Sequence, residues 1–99
     1  MLNIRKTVED GQGCLSLEGR LDTATAPELE KELSCLMPDV STLTLDFAGL
    51  DYVSSAGLRV LLSAQKTMSR QGEMKLTNVN ATVMEIFEVT GFSDILKIV

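Results

Sequence analysis

The fold is decided by residues 42–79, which read TLTLDFAGLDYVSSAGLRVLLSAQKTMSRQGEMKLTNV. From Thr42 to Phe47 apolar and polar residues alternate, a period that is typical of a β-strand. After a loop through Tyr52 and Val53, apolar residues recur every three or four positions from Ser55 to Gln71, which predicts a helix. Met74–Val79 returns to a strand pattern. A strand, a crossover helix and a second strand predict a parallel pair with a right-handed crossover.

The N-terminal part predicts a hairpin followed by a helix. Strands are expected near Leu2–Glu9 and Cys14–Glu18, and the turn between them is predicted to be Asp10-Gly11-Gln12-Gly13. Residues 19–22 are predicted to be a short loop. Thr25 is the expected N-cap of the next helix, with Glu28 at the capping-box position.

The C-terminal part adds one short helix and a final strand. Asn80 is a good N-cap residue and Gly91 a good stop, so a helix is expected between them. Ile95–Val99 is predicted to be a last strand or the beginning of one. These elements indicate an α/β (mixed α+β) single domain of residues 1–99, with a mixed sheet of four to five strands and helices packed mainly on one face. Leu45, Leu61 and Phe87 should then share one core.

Composition excludes several classes of function. The 99 residues carry a net charge of −5, which argues against nucleic acid as a partner. No histidine is present, so a Ser-His-Asp triad, a Cys-His dyad and a His-ligated metal site are impossible within this chain. Cys14 and Cys35 have no metal-ligand spacing and are expected to pack in the core. Without a leader pattern or an apolar run of about 20 residues, the chain is expected to be cytoplasmic and not membrane-bound.

Two adjacent hydroxyls, Ser54 and Ser55, lie where the loop after the central strand enters the long helix. The first backbone N–H groups of a helix lack internal partners and carry the positive end of its dipole. A phosphate at this position would be stabilised there. Gly57, in the first turn, would allow another backbone to approach the hydroxyl closely. Helix capping accounts for the presence of one of the two serines. The second serine has no such structural explanation and is therefore a candidate functional residue.

The same segment resembles the signature of the STAS family of bacterial anti-sigma factor antagonists. In that family an Asp-Ser-Ser/Thr/Ala-Gly-Leu motif follows a strand and opens a helix, and its first serine is phosphorylated. By this resemblance the phospho-acceptor is Ser55, followed by Ala56, Gly57 and Leu58. Ser54 stands where the family usually has an acidic residue, which makes it the alternative acceptor. Residues 19–22 are similar to the family's Gly-x-Leu-Asp segment, and Leu43–Asp46 to its central strand. Phe87 and Gly91-Phe92 resemble its final helix and the turn after it, so the resemblance covers nearly the whole chain.

The resemblance implies a phosphorylation-controlled regulator. The unphosphorylated protein would bind an anti-sigma factor, a GHKL-type ATPase that is often also the serine kinase, and would thereby free a sigma factor. A PP2C-type serine phosphatase would reverse the phosphorylation. No cofactor, metal or catalytic residue is implied. The candidate partner-binding residues are Asp22, Thr23, Ser54, Ser55, Ala56, Gly57, Arg59 and Val60.

Other interpretations remain open at this stage. Asp22 is either a turn or capping residue, or it lies beside the acceptor loop and shapes the kinase-facing surface. The chain is either an antagonist or a STAS module of another complex, such as a lipid-transport or stress-signalling assembly, in which Ser55 only caps the helix. An enzyme with Ser55 as nucleophile would need Lys or a carboxylate as its base, and no G-x-S-x-G motif is present.

Overall fold

The computed structural model describes residues 2–99. Two single-turn 3₁₀ helices, Met37–Asp39 and Phe92–Asp94, follow the first and third α-helices. The strands and α-helices, in chain order, are β1 (Leu2–Glu9), β2 (Gln12–Leu21), α1 (Ala26–Leu36), β3 (Thr42–Val53), α2 (Ser55–Gln71), β4 (Glu73–Thr77), α3 (Ala81–Thr90) and β5 (Lys97–Ile98).

The strands form one mixed sheet in the order β1-β2-β3-β4-β5. β1 and β2 are antiparallel, and Asp10 and Gly11 between them have φ angles of 51° and 76°. A positive φ at both central positions is what a tight two-residue hairpin turn requires, and Asp-Gly is a favoured pair there. The turn is shorter than predicted, because Gln12 and Gly13 already belong to β2. The other neighbouring strands are parallel, so the predicted parallel pairing of β3 with β4 is confirmed.

The helices cover one face of this sheet. Phe47 on β3 and Phe87 on α3 are fully buried, and their ring centroids lie 6.2 Å apart. Leu45 and Leu61 belong to the same buried cluster, which confirms the prediction of a single core. The alternate strand residues point to the other face and are half-buried or exposed; they include Cys14, Ser16, Glu18, Thr44, Asp46 and Lys75.

β3 is longer than predicted, and the expected loop through Tyr52 and Val53 is wrong. The pairing of β3 with β2 shifts by one residue at two places, and at each the extra residue belongs to β3. These irregularities are β-bulges. They bring Phe47, Leu50 and Val53, which are spaced by three, to the same buried face. The predicted loop at residues 19–22 is also wrong, because β2 continues to Leu21 to pair with the extended strand.

The start of α1 is where the sequence predicted it, but the predicted capping box is wrong. Thr25 is the N-cap residue, yet its side chain makes no capping hydrogen bond. Its hydroxyl instead donates to the carbonyl oxygen of Arg20 at 2.8 Å and accepts from the N–H of Asp22 at 2.9 Å. The hydroxyl therefore joins the end of β2 to the start of α1.

Neither cysteine packs in the core. Cys14 is half-buried on the face of the sheet that the helices leave open, and Cys35 is exposed. Cys35 follows the buried Leu33 by two residues, which places it on nearly the opposite side of α1. The expectation of a core role is therefore wrong for both cysteines.

The ends of α3 agree with the sequence. The Asn80 side chain accepts a hydrogen bond from the N–H of Val83 at 2.9 Å, and Gly91 ends the helix with a φ of 82°. β5 lies within the predicted final segment. Across residues 2–99, none of the helices combines the length and the apolar character that a membrane span requires.

Candidate functional site

The two adjacent serines lie at the junction of β3 and α2 and have different environments. Ser54 is the N-cap of α2, is half-buried, and its side-chain oxygen accepts a long hydrogen bond of 3.4 Å from the N–H of Gly57. Ser55 is the first residue of the helix, is exposed, and its hydroxyl makes no hydrogen bond with any residue in the range 2–99. Ser54 therefore provides the cap, and the exposed Ser55 hydroxyl is left without a hydrogen-bond partner among the described residues.

The backbone of Ser54 fixes this junction against the end of β2. Its N–H donates to the carbonyl oxygen of Leu21 at 2.8 Å, and its carbonyl oxygen accepts from the N–H of Leu58 at 2.9 Å. The first bond anchors the junction of β3 and α2 to the end of β2, and the second is the first bond of the helix. Position and orientation of Ser55 are thus set by backbone contacts on both sides.

Gly57 is required here for packing. A Cβ atom at this position would lie 2.7 Å from Cγ of Leu21 and 3.1 Å from Cγ1 of Val53. Both neighbours are almost completely buried, so neither has free space into which to move. The sequence suggested that this glycine lets another backbone reach the hydroxyl. The structure gives it a different role, which is to let the first turn of α2 contact the ends of β2 and β3.

Asp22 organises the turn between β2 and α1. Its carboxylate accepts hydrogen bonds from the N–H of Ala24 at 3.0 Å and from the N–H of Thr25 at 3.1 Å. The Thr25 hydroxyl oxygen lies 3.2 Å from the same carboxylate oxygen, but its one proton makes the shorter bond to the carbonyl oxygen of Arg20. This is the turn role that the sequence left open for it. Because Asp22 directly follows Leu21, whose carbonyl oxygen accepts from the N–H of Ser54, the turn also lies next to the junction of β3 and α2.

The candidate residues lie together around the N-terminal ends of α1 and α2. A shallow recess of about 230 Å³ lies between these ends and is lined by Thr23, Ala26, Pro27, Glu30, Ala56, Arg59 and Val60. Four of the eight predicted partner-binding residues are in that lining. Gly57 and Val60 are buried, so they shape this surface and offer little contact area themselves.

One feature beside the site escaped the sequence interpretation. The guanidinium of Arg20 lies 4.6 Å from the ring centroid of Tyr52, a cation–π distance, and its Nε is 4.0 Å from a carboxylate oxygen of Asp22. Arg20 and Tyr52 face each other because the ends of β2 and β3 are paired. With both segments predicted as loops, no pattern in the sequence indicated that these side chains would meet.

The hydrogen bonds of the Asp22 carboxylate predict that the stability of the fold depends on pH. The hydrogen bond from the Thr25 N–H is the main reason that the pKa of the Asp22 carboxyl lies below its ordinary value of 3.8. A depressed pKa means that the ionised group stabilises the fold above that ordinary value, and that this contribution is lost as the pH falls through the folded-state pKa. Asp22→Asn keeps an acceptor oxygen without ionising. We expect it to be less stable than the unaltered protein at pH 7, with the difference disappearing at acid pH.

Urea unfolding at a series of pH values between 7 and 2.5 measures this difference in the free energy of unfolding. Asp22→Ala serves as the comparison, because it removes the acceptor and should remain destabilised at every pH. A difference between Asp22→Asn and the unaltered protein that stays constant down to pH 2.5 would contradict the assignment.

Known proteins resemble this chain over most of its length. A family model described as "Mlab, STAS domain" matches residues 4–98. BtrV of Bordetella bronchiseptica, provisionally named an anti-sigma factor antagonist, is 38% identical over 91 residues, which cover 90% of this chain and 78% of the relative. The anti-sigma-B factor antagonist of Bacillus subtilis is 28% identical over 100 residues, which cover 98% of this chain and 92% of the relative.

Solved structures share the fold at lower identity. An anti-sigma factor antagonist from Mycobacterium paratuberculosis superposes with a TM-score of 0.89 at 19% identity, covering 99% of this chain and 85% of that one. Unphosphorylated SpoIIAA superposes with a TM-score of 0.81 at 20% identity, covering 100% of this chain and 88% of that one. With a family match over nearly all of its length and a relative 38% identical over most of both chains, this chain belongs to the STAS domain family.

Proposed function

We propose that this protein is a cytoplasmic anti-sigma factor antagonist whose unphosphorylated form binds an anti-sigma factor and is released from it by phosphorylation of Ser55. The observation that carries the proposal is the exposed, unengaged Ser55 hydroxyl at the first position of α2, beside a neighbour that already caps the helix. Relatives named anti-sigma-B factor antagonists support it. SpoIIAA, which shares the fold, has been solved in both its unphosphorylated and its phosphorylated form.

The position of Ser55 favours a switch that leaves the fold intact. A phosphate there lies at the positive end of the α2 dipole, close to N–H groups of the first turn, so it stabilises the helix locally. Because the side chain is exposed, the added charge of about −1.5 to −2 acts mainly on whatever docks against this surface. Repulsion or desolvation at the interface is then enough to separate the complex.

The proposed partners follow from the family resemblance. The anti-sigma factor would be a GHKL-type ATPase that also phosphorylates Ser55, and a PP2C-type phosphatase would restore the binding form. The protein itself is a substrate of both enzymes and a ligand of the first, and it catalyses no step. The unphosphorylated form would accumulate when the phosphatase is active, and sigma factor would then be freed.

Affinity capture in the source bacterium tests this function. Tagged chain carrying Ser55→Ala, which cannot be phosphorylated there, should retain a GHKL-type anti-sigma factor identified by mass spectrometry, and Ser55→Asp should retain much less of it. If both variants instead capture the same lipid-transport or stress-signalling components in equal amounts, the chain is a STAS module of another complex and the proposal is wrong.

The site of phosphorylation is a separate prediction. We expect the kinase to modify Ser55 and not Ser54, because Ser55 is exposed whereas the half-buried Ser54 hydroxyl faces the N–H of Gly57. Fragmentation mass spectrometry separates the two sites, since cleavage between the two serines gives distinct ions. Ser54→Ala should still be phosphorylated, and Ser55→Ala should not. Phosphate found mainly on Ser54, or full phosphorylation of Ser55→Ala, would refute this assignment without refuting the family.

A further inference from the structure

The charges of this protein are distributed unevenly. α2 contains three basic residues, Arg59, Lys66 and Arg70, and no acidic residue among its 17 positions. The chain as a whole has a net charge of −5, so the remainder carries −8. The helix that begins with Ser55 is therefore a basic element on an acidic molecule.

The basic residues of α2 lie on one exposed face. Arg59 and Lys66 are seven positions apart, and Lys66 and Arg70 are four apart, spacings that line the three side chains up on one side of a helix. Every member is exposed, and the buried residues Gly57, Leu61, Ala64 and Met68 occupy the opposite side. We call this face the basic stripe; it consists of Ser55, Arg59, Ser63, Lys66 and Arg70.

The stripe is not neutralised by the protein's own carboxylates. The ion pairs found among residues 2–99 join Lys6 to Glu32, Arg20 to Asp22 and Lys97 to Glu73, all of them outside α2. Glu30 shares the shallow recess with Arg59, but the two form no ion pair. Charges that have no partner within their own fold are available to one on another molecule.

We infer that the basic stripe docks on a carboxylate-lined surface of the anti-sigma factor. The inference rests on the proposed function and specifies the chemistry of the partner. A protein with a local patch of carboxylates fits better than a polyanion, because three cations are few for binding nucleic acid or an anionic membrane. Either polyanion would also extend beyond the stripe and repel the net −8 of the remaining residues.

The stripe also explains why Ser55 is an effective position for a switch. Ser55 is at its head, and Arg59 follows one helical turn later, at the i+4 spacing that brings a negative and a positive side chain together. A phosphate on Ser55 adds negative charge to the docking surface and can pair with Arg59. Both effects reduce attraction to an acidic partner.

Charge reversal tests the inference. The captured anti-sigma factor is titrated with the unaltered chain, with Arg59→Glu, and with a triple variant that also carries Lys66→Glu and Arg70→Glu. We expect Kd to rise by about 10-fold for the single variant and by more than about 100-fold for the triple variant, mostly through slower association. Lys75→Glu is the matched control, because it makes the same change in charge on the open face of the sheet and should stay within about threefold.

Salt provides a second measurement that does not depend on substitution. Kd for the unaltered chain should rise by about 10-fold between 50 and 500 mM NaCl, and this dependence should largely disappear in the triple glutamine variant of the same positions. Circular dichroism and thermal unfolding confirm that each variant is folded.

The outcomes are distinct. If the unaltered chain binds but Arg59→Glu and the triple variant bind equally well, the inference is wrong and the proposed function stands. If the unaltered chain does not bind an anti-sigma factor, both are overturned. Binding of mixed-sequence duplex DNA or of phosphatidylglycerol vesicles that is lost in the triple variant would assign the stripe to a polyanion and overturn the inference as well.

Discussion

The Gly72→Ala variant is expected to lose at least about 3 kcal/mol of stability and to unfold more than about 12 °C below the unaltered protein. A Cβ at Gly72 would overlap the carbonyl oxygen of Ser41 and would lie 2.7 Å from its carbonyl carbon. Ser41 is held on both sides, since its N–H donates to Gly11 at 2.7 Å and its carbonyl oxygen accepts from Glu73 at 2.9 Å. Neither backbone segment can move without breaking the hydrogen bonds at the start of β3 or of β4.

Gly91→Ala is the matched control, because Gly91 also follows the last residue of a helix. Its φ of +82° disfavours a side chain, yet a Cβ there would meet nothing within 4 Å. We expect this variant to lose only about 1–2 kcal/mol, the cost of a left-handed conformation for alanine. Urea and thermal unfolding of both variants measure the contrast. Equal losses would show that the clash with Ser41 is relieved by relaxation.

These two glycines show what the sequence could not distinguish. Both Gly72 and Gly91 were predicted to end helices, and both do. Only the tertiary structure separates them, because the backbone that approaches Gly72 comes from a segment about 30 residues earlier in the chain. Local patterns indicate where a helix ends, and the cost of replacing its last glycine is set by distant contacts.

The extent of the central strand was underestimated for a related reason. Alternation predicted β3 correctly as far as Phe47 and then failed, because each bulge inserts one residue and changes the spacing of buried positions from two to three. Leu50 and Val53 are buried on the same face as Phe47, but no period-2 or period-3.6 template finds them. The pairing of Arg20 with Tyr52 escaped detection as a consequence.

The sequence predicted where the candidate site lies, but it did not settle the roles of the two serines. The pair of serines before a helical pattern indicated a modifiable N-terminus, and the sequence could not say which hydroxyl caps the helix. The structure assigns that role to Ser54. The basic residues of α2 can also be read from the sequence, but their freedom from internal ion pairs depends on where the carboxylates of the other elements lie.

Ser55→Asp is expected to weaken binding to the anti-sigma factor by about 100-fold or more, whereas Ser55→Ala should bind within about threefold of the unaltered chain. Two unit charges 4 Å apart interact by about 4 kcal/mol at an effective dielectric constant near 20, which corresponds to about a thousandfold in Kd. Because salt and water screen charges at an exposed position, the interaction is weaker than this, and we expect a change in Kd of about 100-fold. Alanine adds no charge, and the Ser55 hydroxyl has no hydrogen bond within the described chain to lose.

Thr82→Asp is the control for the change itself, since Thr82 is also exposed and lies in the first turn of a helix, α3. There, too, a carboxylate is compatible with the helix dipole, so the fold should tolerate both aspartates equally. If charge at the head of the basic stripe is the signal, only Ser55→Asp loses affinity, and isothermal titration calorimetry with the captured anti-sigma factor measures the difference.

A Ser55→Ala variant that binds as poorly as Ser55→Asp would mean that the hydroxyl itself contacts the partner. Phosphorylation would then act by removing a hydrogen bond, and the charge of the phosphate would be secondary.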